Sequence, residues 1–278
     1  MMPFSALQQM PSLWVGFMTL IGLGVGSFLN VVAYRLPIIV QRQWQQECEI
    51  VLNTAKKTKH LKWNLWMPRS HCPQCHQPIA VRDNIPIISY WLLRGRCRGC
   101  SKTISIRYPF VELVTALITL FISVRLGPSW SALGYCLAFW LLIPIALIDY
   151  DEQLLLDELT YPLLWLGLLS STLGIGPGPI QAIWGVILGY GCLWGIYWLF
   201  KALTGKEGMG YGDFKLLGAL GAWVGWSLLP LTVFIASATA AAVGLFRIFR
   251  KHQKRDDKIA FGPFLALGGA VVMGAQFL

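Results

Sequence analysis

Long apolar stretches alternate with basic segments along this chain. Charge is absent from residues 159–200 and 216–246, nearly absent from residues 113–148, and absent again between Ser12 and Arg35 and after Lys258. A helix that spans a bilayer needs roughly 20 predominantly apolar residues, so each stretch is long enough for one or two spans. The pattern therefore predicts an all-α polytopic membrane protein.

Turn-forming residues divide the three longest stretches. They lie at Gly127-Pro128, at residues 174–179 and at Gly225–Pro230. As a single helix, residues 216–246 would extend about 45 Å, which exceeds a hydrocarbon core of about 30 Å. We therefore expect two spans in each stretch and about eight transmembrane helices in all, with both chain termini outside.

Basic residues are concentrated in a few segments of the chain. Of the 23 Lys and Arg residues, 13 lie between Arg35 and Arg107 and six between Arg247 and Lys258. Clusters of this kind are typical of loops on the cytoplasmic side of a membrane, and they explain the net charge of +10 without a nucleic-acid partner. We expect a first span over residues 1–36, a cytoplasmic domain over residues 37–107 and seven further spans over residues 108–278.

Four cysteines in the cytoplasmic segment form two Cys-x-x-Cys pairs. Cys72 and Cys75 are separated by 21 residues from Cys97 and Cys100. This spacing is typical of a tetrahedral Zn²⁺ site with four thiolate ligands, in which the closed ligand shell indicates a structural role. Two disulfides are the alternative, although disulfides rarely persist in the reducing cytoplasm. The pattern predicts a small cytoplasmic zinc-binding domain inserted after the first span.

Two aspartates occupy the borders of apolar stretches. Asp149 directly follows one such stretch, and Asp213 follows Gly210 and Gly212 and leads into another. Ionisable groups at membrane helices are costly and are functional candidates by default. The glycines permit a close approach of the backbone to a neighbouring helix. The alternative for Asp213 is that it serves only as the N-cap of the helix that it precedes.

A pair of carboxylates has a specific chemical use. Two such groups brought close together do not both ionise easily, so one keeps its proton and the other stays charged. The charged member can activate water as a base, and the protonated member can act as the acid. Such a pair can position and activate water for attack on a peptide carbonyl.

Several motifs together resemble one known family. Residues 26–37 read Gly-Ser-Phe-Leu-Asn-Val-Val-Ala-Tyr-Arg-Leu-Pro, residues 89–97 lead into the second cysteine pair, and residues 107–112 read Arg-Tyr-Pro-Phe-Val-Glu. With the Gly-x-Gly-Asp sequence at residues 210–213, these segments resemble the bacterial type IV prepilin peptidases (leader peptidase/N-methyltransferases). That family comprises membrane aspartic proteases of the Gly-x-Gly-Asp class, and the resemblance covers nearly the whole chain.

The resemblance implies an activity and its site residues. The chain is expected to cut the basic leader from type IV prepilins and pseudopilins after a Gly, with Asp149 and Asp213 as catalytic residues facing the cytoplasm. It is then expected to methylate the new N-terminus with S-adenosyl-L-methionine as the donor. Gly95 and Glu112 are implied in methyl transfer. The alternatives are a turn before the cysteine pair for Gly95 and an ion pair with Arg107 for Glu112.

One departure and three rival functions remain open at this stage. Leu156 stands where the family usually has proline, which would favour a helix start at Asp157. The rivals are a protease whose zinc domain only docks substrate, a proton-coupled transporter and a non-catalytic assembly scaffold. A transporter would more naturally place charges near mid-membrane and contain paired repeats, and the sequence has neither.

Overall fold

The described structure is helical. The computed structural model of the protein describes residues 8–52, 64–206, 209–250 and 260–277. Within these ranges there is no β-strand, and the β-structure is confined to two isolated bridges. The prediction of an all-α protein is therefore confirmed for the described part of the chain. Residues 53–63 of the predicted zinc domain lie outside it.

In the described ranges, eight helices of at least 14 residues coincide with the apolar stretches, and one short helix lies between the first two of them. Their bounds are α1 Pro11–Val51, α2 Ile88–Leu92, α3 Arg107–Leu126, α4 Trp130–Glu152, α5 Asp157–Thr172, α6 Pro179–Thr204, α7 Tyr211–Val224, α8 Leu229–Phe249 and α9 Gly262–Ala275.

Five of these helices have the length and composition of membrane spans. They are α1, α3, α4, α6 and α8, the last taken together with the turn that precedes it. The chain is therefore an integral membrane protein. Helices α5, α7 and α9 contain 16, 14 and 14 residues, fewer than the roughly 20 that a perpendicular span requires. The count of eight crossings stays a prediction.

The apolar stretches are divided into separate helices at the turn-forming residues identified in the sequence. Helices α3 and α4 are separated at Gly127–Ser129, and α5 and α6 at Leu173–Gly178. Helix α7 ends before Gly225, whose φ of +75° is accessible to glycine at little cost, and Pro230 lies in the first turn of α8. Residues 216–246 thus divide into two helices at a glycine with a positive φ.

Helix α1 is longer than predicted. It continues through Pro37 to Val51, a total of 41 residues and about 60 Å at a rise of about 1.5 Å per residue. The predicted boundary between residues 36 and 37 therefore falls inside a continuous helix. Gln and Glu residues, which favour helix, fill much of the extension after Val40.

The chain divides into two compact units, of which the first covers residues 15–121. In this unit α1 packs closely against α3. A Cβ added to Gly26 would lie 2.8 Å from the Cα of Glu112, so only glycine permits this approach. The side-chain amide of Asn30 donates a hydrogen bond to the Tyr108 carbonyl at 3.2 Å.

The second unit contains α4 to α9 and is built around α7. Every residue from Leu216 to Val224 is buried, as expected for a helix that is apolar on all sides and enclosed by neighbours. The Trp223 indole N–H donates to the Leu163 carbonyl at 2.9 Å. On another side, Gly185 of α6 lies directly against Gly221 of α7, backbone to backbone. The glycines let α7 sit deep in the bundle.

We predict that Gly221→Ala destabilises this unit. A Cβ at Gly221 would collide with the backbone carbonyl of Gly185, and overpacking of this kind costs roughly 1–3 kcal/mol. Gly191→Ala on α6 is the control, because a Cβ there meets nothing within 4 Å. The measurement is thermal unfolding of the purified variants in detergent. Equal unfolding midpoints for the two variants would contradict the packing described.

Candidate active site and metal centre

Asp149 lies in the last turn of α4, where apolar helix gives way to loop. It is only 5% exposed. Its Oδ2 atom accepts a hydrogen bond of 2.9 Å from the backbone N–H of Gly262, the first residue of α9. The first N–H groups of a helix have no partner within the helix and favour negative charge. The start of α9 therefore holds and orients this carboxylate.

Gly262 is the residue at this site that sequence reasoning missed. A Cβ at this position would lie 2.5 Å from Asp149 Oδ2, closer than real Cβ contacts, so a side chain would displace the carboxylate. The one available signal was the Gly262-Pro263 pair at the start of the last apolar stretch, which marks a helix start.

Asp213 is the third residue of α7 and is 8% exposed. The N-cap is Gly210, so the alternative in which Asp213 is itself the N-cap is wrong. From the third position the Asp213 carboxylate reaches back to the N–H of Gly210, as acidic residues at this position commonly do. Gly210 has an extended backbone with a φ of −79°, so it does not use the left-handed region.

Leu155 brings the two aspartate segments together. A Cβ at Gly212 would lie 2.6 Å from the Leu155 Cβ, so Gly212 is needed for close approach. The same leucine also lies against Gly262. Gly262 holds Asp149 and Gly212 immediately precedes Asp213. These contacts of Leu155 therefore bring the two buried aspartates to the same region, where α4, α7 and α9 meet.

The loop between α4 and α5 is well defined without proline. Leu156 is the N-cap of α5, with a φ of −83° close to the value that proline would impose, and its side chain is buried. Both oxygens of Asp157 accept hydrogen bonds of 2.8 Å from the Lys215 ammonium group. This ion pair joins the start of α5 to α7 two residues beyond Asp213.

The four cysteines of the two Cys-x-x-Cys pairs converge. Their sulfur atoms all lie within 4.8 Å of one another, and the Sγ atoms of Cys72 and Cys100 are 3.8 Å apart. Four thiolates at about 2.3 Å from a tetrahedral metal ion would lie about 3.8 Å apart. A disulfide needs sulfur atoms about 2.05 Å apart, and all seven cysteines are free. The cluster has the donor set and spacing of a metal site.

Both cysteine pairs adopt the same backbone turn. Cys72 and Cys97 each donate to the carbonyl five residues later and accept from the N–H four residues later, at distances of 2.8–3.0 Å. The residues that supply these N–H groups, His76 and Ser101, both have a φ of 57°. Two equivalent knuckles thus direct their thiols towards one point.

Hydrogen bonds favour the charged forms of two groups in the four-cysteine region, the Cys72 thiol and the Asp83 carboxyl. The backbone N–H groups of Cys75 and Gln74 lower the pKa of Cys72 to about 6, which favours a metal-binding thiolate at neutral pH. Arg98 donates to both oxygens of Asp83 at 2.6–3.2 Å, and this hydrogen bonding lowers the pKa of the Asp83 carboxyl. The Asp83–Arg98 ion pair links the Cys97–Cys100 knuckle to the turn that precedes α2.

Gly95 and Glu112 both have structural contacts. Gly95 has a φ of +66°, and a Cβ there would lie 2.9 Å from the Tyr90 hydroxyl, which supports the interpretation of Gly95 as a turn residue. Glu112 is 8% exposed, and its Oε2 atom accepts a hydrogen bond of 2.7 Å from the Ile87 N–H. Ile87 has a φ of +60°, which is strained for a β-branched residue.

Comparisons with known proteins match most of the chain. Residues 20–126 match the family described as Bacterial Peptidase A24 N-terminal domain, and residues 136–245 match the Type IV leader peptidase family. No solved structure matches the chain.

Three similar proteins carry the name prepilin leader peptidase/N-methyltransferase. The protein of Aeromonas hydrophila is 46% identical over 265 residues, which cover 95% of this chain and 91% of that protein. The protein of Pseudomonas putida is 45% identical over 272 residues, covering 97% and 94%. The protein of Pectobacterium carotovorum subsp. carotovorum is 46% identical over 268 residues, covering 96% and 95%.

We predict that the purified protein binds about one metal ion per chain through the four cysteines. Cys97→Ser should abolish that binding, because it removes one of four converging ligands. Cys48→Ser is the control, because Cys48 is an exposed cysteine outside the cluster. Metal content is measured by elemental analysis. Full metal content in the Cys97→Ser variant would contradict the assignment.

Proposed function

Because this chain belongs to the prepilin leader peptidase/N-methyltransferase family, we propose that Asp149 and Asp213 are the catalytic pair with which it removes prepilin leaders. The chain is a membrane protease with N-methyltransferase activity, as its similarity to such enzymes over nearly its whole length implies. The observation that carries the catalytic assignment is the burial of the two carboxylates in one site.

The geometry supports an acid–base mechanism. One carboxylate takes a proton from a water molecule as the water oxygen attacks the carbonyl carbon of the scissile peptide. The protonated partner donates a hydrogen bond to the carbonyl oxygen, and its proton passes to the leaving amine as the C–N bond breaks. Gly262 fixes one oxygen of Asp149, so the pair is oriented before substrate binds. The two carboxyl groups titrate as a coupled pair, so the shared proton is not assigned to either aspartate alone.

The substrates are type IV prepilins and pseudopilins, cleaved after a Gly at the end of a basic leader. Exposed acidic residues near the site, Asp151, Glu152 and Glu158, would attract such a leader. Asp157 contributes less to this attraction, because Lys215 already neutralises it.

We place the protein in the bacterial inner membrane, with eight crossings and both termini outside. The clustering of basic residues supports this topology. In the proposed topology, the aspartates and the four-cysteine domain lie on the cytoplasmic side. The division into a first span (residues 1–36), a cytoplasmic domain (37–107) and a seven-span protease domain (108–278) follows from it. Helix α1 continues from the first span into the cytoplasmic domain.

The four cysteines would hold a structural Zn²⁺ ion. Zinc suits soft thiolate ligands, and four of them leave no coordination position for water or substrate. The ion would hold the two knuckles together and thereby shape the segment between them, residues 76–96. This role fits a domain that supports chemistry performed elsewhere.

S-adenosyl-L-methionine is the methyl donor, and it supplies an electrophilic methyl group to the new N-terminal amine. Gly95 and Glu112 contribute to methyl transfer as positioning residues. Gly95 supports the turn before the second knuckle, and Glu112 fixes Ile87. The names of the relatives favour the bifunctional enzyme over a protease alone or a transporter.

The proposal is tested by mass spectrometry of a prepilin mixed with the purified protein. We expect the leader to be removed after Gly, and the mature pilin to gain the mass of one methyl group only when S-adenosylmethionine is present. An intact leader would contradict the proposed protease. Cleavage without the mass gain would favour the protease-only alternative, in which the zinc domain docks substrate.

We further predict that Gly262→Ala lowers kcat/KM for leader removal by at least about tenfold, or about 1.4 kcal/mol of transition-state stabilisation. The added Cβ would force Oδ2 of Asp149 from its position. Gly274→Ala on the same helix is the control, since a Cβ there meets nothing within 4 Å. Equal kcat/KM values for the two variants would show that Gly262 does not position Asp149.

A further inference from the structure

A cleft of about 450 Å³ opens within the unit formed by residues 15–121. One wall is the face of α1 that carries Gly24, Ser27 and Arg35, and the opposite wall comes from residues 65–70 and 79–86. Small-molecule sites commonly have volumes of roughly 300–1,000 Å³. The protease mechanism makes no use of this cleft.

The cleft combines an aromatic surface with positive charge. The rings of Phe28 and Trp66 stack at a centroid distance of 5.5 Å and an interplanar angle of 24°. Two arginines line the cleft, Arg69 and the buried Arg35, which donates to the carbonyls of Asn64 and Leu65 and so fixes the wall beside Trp66. A planar heterocycle and an anionic group would both find complementary surfaces here.

The opposite wall is held in a strained conformation. Pro86 lines the cleft, and the next residue, Ile87, has the unfavourable φ of +60°. The buried carboxylate of Glu112 accepts the Ile87 N–H at 2.7 Å and stabilises this backbone. Ser27, on the α1 wall, lies beside the same carboxylate. Strain of this kind persists where the surrounding structure imposes it, and it is concentrated at ligand sites.

We infer that this cleft is the binding site for the methyl donor S-adenosylmethionine. The inference rests on the proposed function and assigns a place to its methyltransferase half. The stacked Phe28 and Trp66 offer a face to the adenine, and Arg35 and Arg69 attract the carboxylate of the methionine moiety. Hydroxyl and amide groups of Ser70 and Asn84 are available to the ribose. Glu112 acts through Ile87 and is a positioning residue of this site.

The charge of the cleft disfavours the other obvious occupant. A basic leader peptide would be repelled by Arg35 and Arg69, and the exposed acids near the aspartates suit it better. A phospholipid headgroup shares the anionic chemistry but has no planar ring to use the Phe28–Trp66 surface. Both candidates present an anionic group, the carboxylate of S-adenosylmethionine or the phosphate of a lipid, and the experiment below distinguishes them.

Substitution of Gly24 gives the most specific test of the cleft. It lines the cleft, and a Cβ there meets nothing within 4 Å, so Gly24→Leu would fill the cleft without a backbone collision. Gly16→Leu is the matched control on the same helix, because Gly16 also has open space and does not line the cleft. Trp66→Ala removes the aromatic surface, Trp66→Phe retains it, and Trp91→Ala controls for loss of an equally exposed tryptophan.

The measurement is equilibrium dialysis of labelled S-adenosylmethionine against each purified full-length variant in detergent, without prepilin. Gly24→Leu and Trp66→Ala should each raise the Kd by at least about tenfold, with Kd largely restored in Trp66→Phe. Gly16→Leu and Trp91→Ala should bind as the unsubstituted protein does. Gel filtration and thermal unfolding verify that every variant is folded.

Two results would overturn the inference, and they differ from failure of the proposed function. If folded Gly24→Leu and Trp66→Ala bind the donor as tightly as the unsubstituted protein, the donor binds elsewhere, although the methyltransferase stands. If Gly24→Leu instead loses co-purified phospholipid while the Kd is unchanged, the cleft is a lipid site. An unsubstituted protein that cleaves prepilin but neither binds the donor nor methylates would remove the methyltransferase half of the proposed function itself.

Discussion

The hydrogen bond from the Gly262 N–H to Asp149 is the contact around which the unit formed by α4 to α9 is arranged. It joins the last turn of α4 to the first turn of α9, across 113 residues of sequence. Burying a carboxylate among apolar helices is costly unless a donor receives it. The donor is a backbone N–H at a helix N-terminus. Its position is therefore set by helix α9 and does not depend on a side-chain rotamer. The other helices then need only bring Asp213 to the same place.

Glycines make that approach geometrically feasible. Gly212 lets the start of α7 contact Leu155, and Gly221 lets the middle of α7 lie directly against α6. The Lys215–Asp157 ion pair adds a polar contact in the first turns of the same helix. Helix α7 is short and almost completely buried, so its position is determined by these close contacts on several sides. The Gly-x-Gly-Asp sequence therefore contributes close packing at Gly212 and an N-cap at Gly210.

Much of this organisation could be predicted from sequence, because apolar stretches, turn residues and cysteine spacing are local patterns. The break at Gly225 and the convergence of Cys72 with Cys100 followed from such patterns. The role of Gly262 could not be predicted, since a backbone N–H reaching a carboxylate 113 residues away leaves no periodicity. The extension of α1 was not predicted, because the first apolar stretch ends at the charged residue Arg35, whereas the helix continues through Pro37 to Val51.

The N-terminal unit shows a comparable dependence on buried polar groups. Arg35 and Glu112 each bind backbone of the segments that face α1, and the two knuckles shape the chain between them. Side chains of α1 and α3 thereby fix irregular backbone that has no sheet or long helix of its own. A cleft lined by such segments is defined by few contacts, which is why sequence patterns gave no indication of it.

The central claim is that Asp149 and Asp213 perform peptide cleavage as one pair. Leader removal by Asp149→Asn and by Asp213→Asn, compared with Glu47→Gln on α1, tests it most directly, because the amide preserves shape and removes acid–base chemistry. The account predicts that each of the first two variants falls to roughly a thousandth of the unsubstituted rate or below, while the exposed Glu47→Gln variant changes at most a few-fold. Normal cleavage by either of the first two variants would contradict it.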